Sequence, residues 1–258
     1  MPERRPATPV ALVTGAAERI GAAIAKRLSV AGYSVVIHHR GGSAEAKRTA
    51  AEIEAAGGHA ALVSADLAKR QQRAALIENA AKPFGPLTLL VNNASTFERD
   101  SLADLAEALW DSNFAVHAEA PVFLTRDFAA QLPPSVIGSV VNIVDERVLH
   151  PGPSFFSYTL SKSTLWSATR TLAQSLAPRV RVNAIGPGLT LKGEGQSEAE
   201  FRKLLNALPL KRGPTPEEIA EAVVFLASTP SITGHMLTLD GGEHIGFPPE
   251  AAPTPRRR

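Results

Sequence analysis

Seven short apolar runs alternate with amphipathic helical patterns along this chain, and that alternation sets the tightest limit on how it folds. The runs cover residues 10–13, 34–38, 60–64, 88–92, 139–144, 181–185 and 236–239. Helical patterns cover 20–31, 44–56, 69–81, 102–113, 118–131, 158–176, 198–207 and 216–228. The last begins at an N-cap, Thr215, with Pro216 in the first turn and Glu218 completing a capping box. Strands apolar along their whole length are covered on both faces, and the intervening helices supply the crossovers that parallel strands need. The pattern predicts an α/β fold: one doubly wound domain over residues 9–247, with a seven-stranded parallel sheet flanked by helices. At 258 residues the chain is long enough for one such core. Ligands of these sheets sit outside the carboxyl ends of the strands.

Composition narrows the partners. With 27 Lys and Arg against 25 Asp and Glu, the net charge of +2 leaves no electrostatic footprint for nucleic acid. Residues 1–8 and the Pro- and Arg-rich residues 248–258 read as solvated tails. The absence of cysteine excludes disulfides, thiolate nucleophiles and Cys-based zinc sites. Adjacent His38 and His39 on one strand point to opposite faces, so no metal site is expected there. No apolar run approaches the roughly 18 residues of a membrane span, and residues 1–6 lack the apolar stretch of a signal peptide. The expectation is a cytoplasmic protein acting on a small molecule, with no nucleic-acid or membrane partner.

Two segments point to a phosphate-bearing cofactor. Residues 14–21, TGAAERIG, join the first run to the first helix. Gly15 permits a tight turn, Gly21 permits close helix packing, and the helix N-terminus presents free amides to an anion. Arg19 stands where a middle glycine is expected, so its cation supplements the backbone. After the second run comes His38-His39-Arg40, then Ser43, with no acidic residue at the strand end to meet a ribose diol. Arg40, Ser43 and the histidines suit a 2′-phosphate, which favours NADP over NAD.

A third segment points to proton transfer. Tyr158 and Lys162 lie four apart in a helical pattern and share a face. A nearby ammonium favours phenolate, so Lys162 is expected to lower the tyrosine pKa from about 10 toward working pH. Asp145 ends the fifth apolar run and reads as part of the same proton-delivery centre.

Together with Asp66-Leu67, Asn92-Asn93-Ala94-Ser95, Asn113, Asn183, Pro187-Gly188 and Asp240-Gly241-Gly242, these motifs resemble the short-chain dehydrogenase/reductase family over nearly the whole chain. The resemblance implies a Rossmann-type NADP-binding oxidoreductase. It implies that Gly15, Arg19, Ile20 and Gly21 form the phosphate turn, that Asp66 and Leu67 border adenine, and that Asn92, Ala94 and Ser95 line the cofactor. It further implies that Lys162 holds the nicotinamide ribose and that Asn113 completes a water-linked relay to Lys162. Pro187, Gly188 and Leu189 open a segment that closes over the nicotinamide. A homotetramer is also implied.

One departure from the family pattern is informative. A serine or threonine usually stands thirteen residues before the tyrosine, and here that position is Asp145. A carboxylate repels a developing alkoxide and suits a substrate rich in ring nitrogens and N–H groups. With Arg19, the His-His-Arg loop, Ser95 and Phe97, the chain resembles the pteridine reductases and their dihydromonapterin or dihydrofolate reductase relatives. In that subgroup the residue matching Phe97 stacks on a pterin. The resemblance makes Arg19, Ser95, Phe97, Asp145 and Tyr158 the substrate contacts. Two alternatives stand beside it: a carbonyl reductase, with Ser95, Ser154 or Ser157 standing in for the missing hydroxyl, and a non-catalytic NADP-binding regulator. The segment from Glu243 to Phe247 is a further expected contact, reaching a neighbouring subunit's site.

Overall fold

All neighbouring strands run parallel, and their order is β3-β2-β1-β4-β5-β6-β7. These are β1 (Val10–Val13), β2 (Ser34–His39), β3 (Ala60–Ser64), β4 (Leu89–Asn92), β5 (Gly138–Ile143), β6 (Val180–Pro187) and β7 (Met236–Leu239). The helices are α1 (Arg19–Val30), α2 (Ser43–Ala55), α3 (Arg70–Ala74), α4 (Leu76–Ala81), α5 (Glu107–Phe114), α6 (Ala120–Gln131), α7 (Phe156–Leu176), α8 (Glu198–Ala207) and α9 (Pro216–Ser228). This computed structural model describes residues 8–193 and 195–246, so the two expected tails and Phe247 lie outside the described residues, apart from Thr8.

The period of two along each strand builds a core on both faces. Ala11, Val13, Val35, Ile37, Val91 and Val141 pack beneath α1, α2 and α9. Leu12, Val36, Leu90, Val140 and Val182 pack against α4, α6 and α7 on the other face. These last five stand in register across the sheet, Leu12 opposite both Val36 and Leu90, then Leu90 opposite Val140 and Val140 opposite Val182. Burying each stabilises the fold by about 1.5–3 kcal/mol. The strand order reverses at β1, which opens a crevice between the carboxyl ends of β1 and β4.

Three expected helices are reshaped. The pattern over 69–81 breaks at Ala75 into α3 and α4. The pattern over 102–113 becomes helical only at Glu107, because Asp104 accepts from the backbone and hydroxyl of Ser101 and holds a turn there. The pattern from 118 starts inside a π-turn, Ala115–Glu119, that makes α5 and α6 continuous. Pro121 has no N–H to offer the carbonyl one turn back, and a wider π-turn is a common response to such a gap.

Candidate active site

The crevice is shaped by backbone that admits no side chain at two points. Gly15 has φ +63°, and a Cβ on it would lie 2.8 Å from the Ala94 Cα. A Cβ on Gly21 would lie 2.2 Å from the Gly15 carbonyl oxygen. Glu18, the N-cap of α1, makes no side-chain cap, so the first-turn amides keep their anion-binding capacity. Arg19 adopts a left-handed φ of 55° where a glycine is the easy choice, and its Nη2 reaches 3.4 Å to the Lys192 carbonyl across the cleft mouth. Ile20 packs half-buried against the sheet.

Thr14 and Asn93 hold the two strand ends together. Thr14 Oγ1 accepts from the Asn93 and Ala94 amides at 2.9 and 3.0 Å, and Asn93 Nδ2 donates to the Thr14 and Gly15 carbonyls at 2.9 and 3.0 Å. Neither stood out in the sequence as a site residue. Asn92 turns toward β5, donating to Asn142 Oδ1 at 2.8 Å, while its own Oδ1 is buried without a partner.

His38 is reassigned. Its Nδ1 accepts from the Gly15 amide at 3.1 Å and its Nε2 faces the Ala65 carbonyl at 3.0 Å. Both ring nitrogens are thus consumed, and burial pushes its pKa down to about 4. A neutral strut with no free face offers no charge to a phosphate. His39 is buried with its Nδ1 unpartnered, whereas Arg40 and Ser43 are exposed at the end of β2. Asp66 is half-buried and accepts from the Ala68 amide at 3.1 Å, and Leu67 is buried. On the opposite wall, Pro187 ends β6 and Gly188 and Leu189 follow it, and the Gly188 amide donates to the Leu239 carbonyl at 2.9 Å. Two closed glycine positions, an uncapped helix start and unpaired polar atoms on His39 and Asn92 fit a dinucleotide.

Tyr158, Asp145 and Lys162 converge below this crevice. The Tyr158 hydroxyl donates to Asp145 Oδ2 at 2.8 Å, and Asp145 Oδ1 accepts from the Arg147 amide at 2.9 Å. Lys162 Nζ donates to the Ile143 carbonyl at 2.8 Å and lies 5.7 Å from the Tyr158 ring centroid. The expected lowering of the tyrosine pKa is reversed. Burial, and after it the Asp145 carboxylate, drive Tyr158 well above its ordinary value. Lys162 itself falls to about 8 through burial, and burial raises Asp145. The arrangement therefore holds a neutral phenol against a carboxylate, which is the proton-donating form.

Aromatic side chains wall the centre. Phe97 is 51% exposed, stacks on Phe155 at 4.4 Å and meets Tyr158 edge-on at 4.9 Å. The Arg147 guanidinium covers the Phe155 ring at 5.0 Å. Phe155 has a left-handed φ of 56°, a strained conformation at the start of α7 that no local sequence signal marks.

The side chain of Asn113 is engaged elsewhere than at Lys162. Its Oδ1 accepts from Thr96 Oγ1 at 2.7 Å and its Nδ2 donates to Ser157 Oγ at 2.8 Å, while Ser157 donates to buried Asp100. Buried His117 on the π-turn meets the Tyr158 ring edge-on at 5.3 Å. Beside Asp145, burial raises Glu146 to about 8, with Glu243 and Asp145 adding repulsion. Ser154 is half-buried ahead of α7.

Known proteins share this chain's sequence and fold over most of its length. A family profile described as Enoyl-(Acyl carrier protein) reductase matches residues 15–244. The chain is similar to FolM alternative dihydrofolate reductase 1 from Brucella suis, solved in complex with NADP, at 47% identity and a TM-score of 0.89, covering 96% of this chain and 97% of that one. It is 31% identical to pteridine reductase 1 of Leishmania tarentolae, over 92% of this chain and 96% of that protein. It is also 29% identical to a 3-oxoacyl-[acyl-carrier-protein] reductase of Staphylococcus epidermidis, over 91% and 98%. Glycine turn, Tyr158-Lys162 pair and sheet order meet in one crevice, and the chain belongs to the short-chain dehydrogenase/reductase family.

Proposed function

We propose that this protein is an NADPH-dependent reductase of a C=N bond in a reduced pterin or folate ring. The observation that carries the reading is the Asp145 carboxylate 2.8 Å from the Tyr158 hydroxyl, where a carbonyl reductase needs a neutral donor. The names of the dihydrofolate and pteridine reductases to which the chain is similar support it. When bound, the dinucleotide supplies the hydride.

The chain's own residues supply position and a proton. Gly15, Gly21 and the first-turn amides of α1, with Arg19, receive the pyrophosphate, and Arg40 and Ser43 receive the 2′-phosphate. Asp66 and Leu67 border the adenine, Pro187 to Leu189 border the nicotinamide, and Lys162 holds its ribose. Tyr158 passes its proton to the ring nitrogen next to the reduced carbon. Asp145 takes a proton from solvent and passes it to the Tyr158 phenolate; as the carboxylate it accepts from substrate N–H groups. The open face of Phe97 offers a flat ring a stacking surface, worth about 1 kcal/mol beyond burial. Exposed Phe123 on α6 and Leu160 on α7 support a homotetramer built through those helices, which light scattering in solution tests.

A carbonyl-reducing alternative has one specific support: Ser95 pulls the Tyr158 pKa down, against the larger effects of burial and Asp145. The test is NADPH oxidation with dihydrofolate and dihydrobiopterin beside simple ketones and an acyl thioester. Turnover confined to the pterins is expected; turnover confined to carbonyl compounds overturns the reading.

A further inference from the structure

We infer that His117, on the π-turn between α5 and α6, is a positioning residue that fixes the 95–97 segment against α7 beside Tyr158. The inference deepens the reduction mechanism and rests on Tyr158 being its proton donor. It does not depend on which substrate is reduced.

The hydrogen bonds determine the form of the ring. Ser161 Oγ gives its proton to the Tyr158 carbonyl at 2.7 Å, so toward His117 Nδ1, 2.9 Å away, it can only accept. Nδ1 therefore carries the proton. Nε2 accepts from the Thr96 amide at 3.0 Å, and a backbone N–H has no other role. The ring is thus the neutral Nδ1–H tautomer. Burial and the Lys162 charge oppose its protonation, in keeping with this assignment.

Ser95 Oγ lies 3.0 Å from the same Nε2, whose one lone pair the Thr96 amide already engages. The Ser95 hydroxyl donates to the Thr96 carbonyl at 3.2 Å, so the Thr96 amide is the bond by which the ring holds this segment. Phe97, in the same segment, meets the Tyr158 ring edge-on at 4.9 Å, and the His117 ring does so at 5.3 Å. Through Ser161, three residues from Tyr158, α7 is tied to the other edge of the His117 ring. Asn113, four residues earlier, is bonded to Thr96 and Ser157 and braces the same segment from beneath. The π-turn has a function in this account, since it presents residue 117 to α7 and to the 95–97 segment together.

Two experiments test the assignment. In protein labelled with 15N-histidine, the resonances lost in His117→Gln identify the ring. They are expected to report protonated Nδ1, bare Nε2 and no titration from pH 5 to 8. A protonated Nε2, or titration near pH 6.5, overturns the assignment even if no substrate is found.

The second experiment separates the two ring nitrogens. Glutamine places an acceptor near Nε2, whereas asparagine reaches only the Nδ1 position. With whichever substrate wild type reduces, His117→Gln is expected to keep kcat within about threefold. His117→Asn and His117→Phe are expected to lose about tenfold or more in kcat, to keep KM for NADPH within about twofold and to shift the pH profile. Full activity in His117→Phe, or activity in Asn but not Gln, overturns the proposal. A pterin-inactive but ketone-active wild type counts against the substrate reading alone.

Discussion

The Tyr158 hydroxyl donates its proton to Asp145 Oδ2 at 2.8 Å, so the phenol is held neutral and aimed by a carboxylate. A positioned acid contributes about 10²–10⁴-fold to a proton-transfer step. Tyr158→Phe is therefore expected to lower kcat by about that factor. NADPH binding, followed by fluorescence titration, is expected to stay within about threefold.

The pH dependence follows from the directions of the shifts. Asp145 is raised by burial, so its acid form, which reloads Tyr158, persists above the usual carboxylate range and is lost as pH rises. Lys162 loses its charge above about 8. Both changes lower the rate of reduction as pH increases. The kcat for reduction is expected to be higher at pH 6 than at pH 9; a rate that climbs toward pH 9 contradicts the assignment of Tyr158 as an acid.

Cofactor choice turns on the end of β2, where Arg40 and Ser43 are exposed and no carboxylate ends the strand. An exposed charge-assisted contact is worth about 1.4 kcal/mol, a tenfold effect. Arg40→Ala is expected to raise KM for NADPH about tenfold and leave NADH kinetics unchanged. Equal losses for both cofactors would place Arg40 away from the 2′-phosphate.

His38 links the phosphate turn to stability. Its pKa falls from 6.5 to about 4 on folding, so between those values the unfolded chain binds a proton that the folded chain refuses. Stability is complete above pH 6.5 and declines as pH falls toward 4, by about 3 kcal/mol from this group. Urea unfolding at pH 7 and pH 4.5 is expected to show a smaller pH difference in His38→Gln than in wild type.

The seven runs and most helices were legible because burial of strands on both faces leaves an uninterrupted apolar signal. The glycine turn and the Tyr158-Lys162 spacing were legible for the same kind of reason, since each is a local pattern. The role of His38 was not: strand alternation gave its direction, but not that the Gly15 amide and Ala65 carbonyl would engage both nitrogens. Asn113 was read as the relay residue because the π-turn that brings His117 to Tyr158 leaves no mark in hydrophobic period beyond Pro121. The direction of the Tyr158 shift was misjudged because helical spacing places Lys162 on the right face without fixing its distance. In the fold Lys162 Nζ is spent on the Ile143 carbonyl while the Asp145 carboxylate touches the phenol.

The most direct test of the account is Asp145→Ser, assayed by NADPH oxidation with dihydrofolate or dihydrobiopterin and with a ketone series. Serine restores the neutral hydroxyl that carbonyl chemistry requires and removes the carboxylate that grips ring nitrogens. Pterin or folate turnover is expected to fall by about a hundredfold while ketone turnover holds or rises. Undiminished pterin turnover in the serine variant would contradict the role assigned to Asp145.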